Sequence, residues 1–415
     1  MTRLMATCLG VLAASGLLAG QAAQSGNGHV ARSTRLTKPR IAPRMESQWT
    51  DADRALAKTY TRDGGAGNDF RTFLNSPDAV KAMMPFIAYV SGESGLPPRD
   101  REILILRTGW LAQSDYVWAH HAAAAKTAGL SDAEVRGVAE GPGAAGWSPF
   151  EATLLHSADE LYRNGFINTP TWNALAAKYD VPRLIDAVFT VTELVFLADT
   201  YNSMGVQPEV GFTKRLPTDV TYQVVVPPRE SQPATARIEP VDFATATPEM
   251  RAMLDPRGNG RGPTGVFRTV ARNMKLYPPR QLVAEYTRRP DKKLTTHVQQ
   301  LLILRAGWLD RAAYQFSEHT RAGREAGLDI ARVLAGPDAP GWDPFDGALV
   351  RATDELHRDD FISEATWNTL AARYGAPELM DVLITVGAYC MIGIPTSTFG
   401  VVLEPGAEGF PVSSR

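Results

Sequence analysis

Cysteine is nearly absent from this 415-residue chain: Cys8 and Cys390 are the only two. Cys8 falls in an apolar N-terminal run that is expected to be removed, so the mature protein would carry one thiol and close no intrachain disulfide. No CxxC pair and no Cys/His ligand spacing occurs, and no metal site is expected. An excess of either charge is missing too. The formal net charge is −2 and the pI about 6.4, so the phosphate neutralisation that drives nucleic-acid binding has no basic field to act through. Alternating strand patterns are absent except for "YQVVV" at Tyr222–Val226. The glycine-rich stretches "GPGAAG" and "GNGRGPTG" neither follow a strand nor open a nucleotide-binding unit, and read as loops. Ser203 and Ser397 lack any nucleophile signature, so a hydrolase triad has no support.

What is present is a globular composition, 44% hydrophobic and 21% charged, in a chain long enough for two or three domains. At the N-terminus, Arg3 precedes the apolar "LMATCLGVLAASGLLAG" and then small residues, the pattern of a signal peptide over residues 1–24. Export to the periplasm or beyond is expected, with no lipid anchor and no stable membrane span after signal removal.

The chain also repeats itself. "ILILRTGWL" at Ile103–Leu111 returns as "LLILRAGWL" at Leu301–Leu309, and a 46-residue block from Gly146 returns from Gly341 with half of its positions identical. "NDFRTFL" around Phe70 echoes "GVFRTVA" around Phe267. A repeat of this size is a duplicated domain. Its expected bounds are residues 36–216 and 237–415, joined by a proline-rich linker over 217–236. Both copies read as all-helical. Ser148-Pro149, Asp343-Pro344 and Thr169-Pro170 each place a capping residue before a proline. The apolar run from Arg183 ends at Gly205 as a buried central helix would; its copy ends at Gly400, with Pro395 expected to kink or shorten it.

The stretch "EILILRTGWLAQSDYVWAHHAAAAKTAGL", with YxWxxH followed by AGL, resembles the core of the carboxymuconolactone decarboxylase and alkylhydroperoxidase D-like superfamily. The resemblance covers most of both copies and implies small all-α domains that assemble around paired helices. The chain would then be an intrachain pseudo-dimer that forms homo-oligomers. The redox branch of that superfamily places two cysteines between a glutamate and a histidine. Here Glu102 is followed 12 residues on by Ser114, 15 on by Val117 and 19 on by His121; the second copy holds Gln300, Ala312, Gln315 and His319. Without either cysteine the dithiol peroxidase reaction has no nucleophile and no resolving thiol.

The Glu102–His121 pair survives, and only in the first copy. A carboxylate beside an imidazole fixes its tautomer and raises its basicity, as proton transfer requires. The decarboxylase branch implies cofactor-free chemistry on a small carboxylated or lactone-like substrate, with His121 as general acid/base and Glu102 orienting it. His319 is the second-copy equivalent, weakened by Gln300. Tyr116 and Trp118, with Tyr314 and Phe316 in the second copy, are expected to pack a core or line the pocket. Arg107 is a weak candidate to grip a substrate carboxylate; the favoured expectation for it and Arg305 is that they satisfy helix ends or carboxylates across the internal interface, with Asp186 and Asp381 as candidate partners. His120 is expected on a solvated rim, and the Asp159-Glu160 and Asp354-Glu355 pairs in ion pairs or on a solvated face. Three readings stand: a cofactor-independent lyase, a peroxidase-like antioxidant, and a non-catalytic binding or assembly protein.

Overall fold

The computed structural model describes residues 36–411 apart from 62–64, 222–223, 256–257, 259–262 and 405. The expected signal peptide lies outside these residues, as does part of the "YQVVV" segment. Among the described residues all regular structure is helical. After short helices at Asp51–Tyr60 and Asn68–Phe73, the first half contains α1 (Pro77–Ala88), α2 (Pro98–Leu111), α3 (Asp115–Thr127), α4 (Asp132–Glu140), α5 (Pro149–Asn164), α6 (Thr169–Ala176) and α7 (Val181–Met204). The second half follows the short helices Pro248–Leu254 and Gly265–Val270 with α8 (Tyr277–Arg288), α9 (Thr296–Leu309), α10 (Ala313–Glu325), α11 (Ile330–Ala335), α12 (Pro344–Asp359), α13 (Glu364–Ala371) and α14 (Ala376–Phe399).

The helix ends follow the local chemistry. Ser148 accepts from the Glu151 amide in a capping box that opens α5, and Asp343 does the same for Phe345 at the head of α12. The Thr169-Pro170 expectation is off by one residue, because Asn168 is the cap and Thr169 gives its N–H and hydroxyl to Glu230. Both long helices end on a left-handed glycine, Gly205 (φ +74°) and Gly400 (φ +71°). Pro395 does not shorten α14, which continues to Phe399. Its missing N–H removes one rung of the ladder, but the flanking turns are buried and held by packing rather than by that single bond.

Helix α2 is buried from Glu102 to Leu111 on every side, and α9 is buried from Val298 to Gly307. The two longest helices, α7 and α14, form the centre and pack on each other; α1 packs on α8. By length and composition α14 could cross a membrane, yet 89% of its most apolar window is buried within the molecule. That apolar surface serves the core.

Contacts between the halves come in reciprocal pairs. Tyr89 donates to Asp186 and reaches Asn273, while Tyr286 donates to Asp381 and reaches Ser76. Arg40 donates to the carbonyls of Ser203 and Ile362 above Trp367; Arg237 donates to those of Thr398 and Ile167 above Trp172. Residues at matching places in the two repeats thus exchange the same bonds, the signature of an isologous two-fold contact. The expected linker is no free tether. Arg229 donates to the carbonyls of Asn164 and Asp310, and Asn168 to that of Pro228, pinning the segment across both halves.

One position at the centre breaks the symmetry. A Cβ on Gly387 of α14 would lie 1.7 Å from Cδ2 of Phe196 on α7, a side chain that is itself 1% exposed. We expect Gly387→Ala to destabilise the protein by about 1–3 kcal/mol through overpacking, and Phe196→Leu to recover part of that loss. Denaturant melts of the two single variants and the double variant measure the coupling.

Candidate functional site

Helices α2 and α3 meet across a tight turn whose Gln113 has φ +54°; Arg311 repeats that value between α9 and α10. At the crossing Gly109 has no side chain to spare, since a Cβ there would lie 2.8 Å from Val117 Cγ1. This approach brings Glu102 and His121 together. His121 Nδ1 lies 2.9 Å from Glu102 Oε2, with the carboxylate side chain 4% exposed and the imidazole 20% exposed. A carboxylate only accepts, so Nδ1 carries the proton and Nε2 is left as the working nitrogen. Arg101 Nε stands 3.9 Å from the other Glu102 oxygen.

The second half keeps this geometry without the charge. His319 Nδ1 lies 2.9 Å from Gln300 Oε1, so the same tautomer is held by a neutral acceptor. Lost hydration, helped by the Arg288 guanidinium, lowers the His319 pKa to about 4. At neutral pH this ring is uncharged. A folded-state pKa below the unfolded value means that the unfolded chain binds the proton first, so stability is lost as pH falls from about 6.5 towards 4. Between pH 6.5 and 5 this group should cost about 2 kcal/mol that His319→Asn does not lose. Denaturant melts of both proteins at the two pH values test the difference.

The other expected site residues separate from these pairs. Tyr116 is 5% exposed and stands with His120, their ring centroids 4.4 Å apart, while its hydroxyl accepts from the Asp69 amide. Trp118 lines a cleft of about 140 Å³ with Arg136, Lys214 and Arg215; His121 is not among its lining residues. In the second half the Tyr314 hydroxyl donates to Glu404 at 2.9 Å. Phe316 is 1% exposed among Trp308 and Phe410, so it is core. Helical geometry explains the separation of Tyr116, which stands five places before His121 on the far side of the helix, whereas Trp118, three places before, shares the His121 side and is turned instead into that cleft.

Arg107 cannot hold a substrate. It is fully buried, with Nε and Nη2 on Asp159 at 2.6 and 3.0 Å and Nη1 on the carbonyls of Val138 and Ala139 at the end of α4. Arg305 repeats this on Asp354, Val333 and Leu334. Asp159 is therefore an ion-pair partner, whereas Glu160 caps α6 through the Asn168 amide. Asp186 and Asp381 are met by other groups: Tyr89, Asn273 and the Gly95 amide in one case, Tyr286 and Arg289 in the other.

His120 is the residue whose partner the sequence did not show. It is 28% exposed and so lies at the rim, but it is held there, for its Nε2 lies 2.7 Å from Glu209 Oε2 and its ring stacks on Phe212 at 4.0 Å. Burial raises the Glu209 carboxyl, but the bonds from His120 and the Asn68 amide outweigh it and bring the pKa to about 2. Glu209 lies 89 residues from His120 and carries no motif, so only its echo at Glu404 could have marked it. At the matching place the second half has Glu318, whose carboxyl is pushed up by burial and by Glu404.

The expected redox positions hold no thiol. Ser114, in the α2–α3 turn, and Val117, in the first turn of α3, are buried, and part-buried Cys390 is kept protonated by lost hydration and the Asp310 carboxylate. Among the described residues no group of three or more His, Cys, Asp or Glu could hold a metal ion.

No curated protein sequence matches the chain. The model of the Carboxymuconolactone decarboxylase family matches residues 77–160, the segment from α1 into α5 that contains both Glu102 and His121. Over those residues the chain is carboxymuconolactone decarboxylase-like.

Proposed function

We propose that this protein is a cofactor-independent acid–base lyase of the decarboxylase type, acting on a small carboxylated or lactone-like substrate through His121. The observation that carries the reading is the bond between a buried carboxylate and a partly open imidazole. In the reaction the bond from carbon to the carboxylate breaks, carbon dioxide leaves, and its electron pair stays on the substrate carbon, spread into the lactone carbonyl. Imidazolium Nε2–H then protonates that carbon and is recharged from water. Glu102 stabilises the imidazolium and holds its tautomer. The neutral acceptor Gln300 gives His319 no such help. The N-terminal apolar segment, outside the described residues, supports export, and the duplicated helical halves support a fused pseudo-dimer able to assemble further.

The peroxidase reading loses support because the expected thiol positions are Ser114 and Val117 and the Cys390 thiol is held protonated. The test is incubation of the full chain with carboxymuconolactone in deuterated water. Release of carbon dioxide with one deuterium placed on a lactone-ring carbon is expected. Unchanged lactone, with no carbon dioxide above the uncatalysed background, would defeat the assignment.

A further inference from the structure

The C-terminal half contains a buried cation with no counter-charge among the described residues. Arg280, on α8, is 3% exposed, and no ion pair reaches it among the described residues. Its Nε and Nη1 are both buried without a hydrogen-bond partner. A guanidinium in that state is among the least favourable arrangements a fold can hold, because hydration is lost and nothing replaces it. Burial and the neighbouring Arg288 lower its pKa only to about 10, so it stays charged at neutral pH.

The surroundings look like half of a recognition site. Arg280 and Arg288 both stand over the Phe267 ring, with their guanidinium carbons 5.9 and 5.6 Å from its centroid. Arg288 is exposed and donates Nε–H to the Ala284 carbonyl, so the two cations run from the interior to solvent. Tyr389 interacts with both guanidinium groups, and the edge of its ring meets His319 at a centroid distance of 5.0 Å. The aligned repeats, anchored at Phe70/Phe267 and Tyr89/Tyr286, put Met83 and Ser91 where the second half has Arg280 and Arg288. Along the same alignment Glu102 becomes Gln300. One half has an acid at its histidine and no arginine on this helix; the other has lost the acid and gained two arginines. The three changes agree in sign.

We propose that Arg280 and Arg288, standing over the Phe267 ring beside His319, form a binding site in the C-terminal half for a small flat carboxylate. A guanidinium fork matches the two oxygens of a carboxylate, and the aromatic face accepts a flat apolar body. Gln300 suits such a site, since a glutamate at that position would repel the anion. The site is independent of the chemistry assigned to His121.

Benzoate is the probe, with isosteric neutral benzamide and inorganic phosphate as controls, read by calorimetry and thermal melts of the full chain. Benzoate should bind once per chain and raise the melting temperature saturably, whereas benzamide should do neither. Arg280→Met, which restores the residue found at Met83, should melt at or above the wild-type temperature without ligand and bind benzoate at least about tenfold more weakly. Arg280→Lys keeps the charge without the fork and should fall between the two; it serves as the test if the methionine variant does not fold. The proposal is overturned if benzoate and benzamide act alike, or if the Arg280 variants bind benzoate as the wild type does. Tighter, Arg280-dependent binding of phosphate would overturn the carboxylate assignment.

Discussion

His121→Asn should lower the rate of decarboxylation by about 10²–10⁴-fold, the range that one positioned general acid–base group supplies. The variant should melt close to the wild type, because asparagine can still donate to Glu102 from a side chain that is only partly buried. Glu102→Gln keeps the hydrogen-bond geometry and removes the charge, copying the arrangement the second half already has at Gln300 and His319. It should cost less than His121→Asn, because the ring keeps its place while losing only the charge that stabilises the imidazolium during the reaction. His319→Asn should leave turnover within about twofold, because a ring whose pKa is near 4 carries no proton to give at neutral pH. Equal losses from the His121 and His319 variants would mean that both halves react, and no loss from His121→Asn would remove the lyase reading altogether.

The pair behind that expectation was legible in the sequence because it is local. Glu102 and His121 lie 19 residues apart on two helices joined by a short turn, and helical periodicity fixes which faces meet. The all-helical fold was legible for the same reason: the caps at Ser148 and Asp343 and the stops at Gly205 and Gly400 are properties of a few adjacent residues. What escaped were contacts that close over long separations. Nothing in "AHHAAA" indicates that a glutamate 89 residues on will hold His120, or that Arg107 will be used up by Asp159 and the end of α4. Arg280 escaped differently. An arginine among Pro279, Gln281 and Glu285 reads as a solvated helix face, and only packing against α1 and α14 shows it enclosed. The repeat helps here, since comparing the halves position by position isolates changes that composition hides.

The Arg107–Asp159 pair should give the largest stability loss. Both side chains are fully buried, and the guanidinium spends Nε and Nη2 on the two carboxylate oxygens and Nη1 on two carbonyls. Arg107→Met removes the counter-charge from a carboxyl that burial already pushes up, so that Asp159 must take up a proton, and leaves two carbonyls without donors in a dry interior; it should destabilise the protein by about 3–5 kcal/mol. Asp159→Asn keeps the shape, removes the counter-charge and should fall in the same range. The double variant Arg107→Met/Asp159→Leu no longer strands a charge, so its loss should be smaller than that of either single variant; the unpaired carbonyls of Val138 and Ala139 account for what remains. The second half supplies an internal comparison. Arg305 and Asp354 make the same bonds with side chains 8% and 19% exposed, so water can reach whichever partner is left behind. Arg305→Met should therefore cost less than Arg107→Met, in denaturant melts whose slopes show that the unfolded state is unchanged. If the two arginine variants lose equal stability, burial is not what sets the strength of this contact, and the bonds to the ends of α4 and α11 carry it instead.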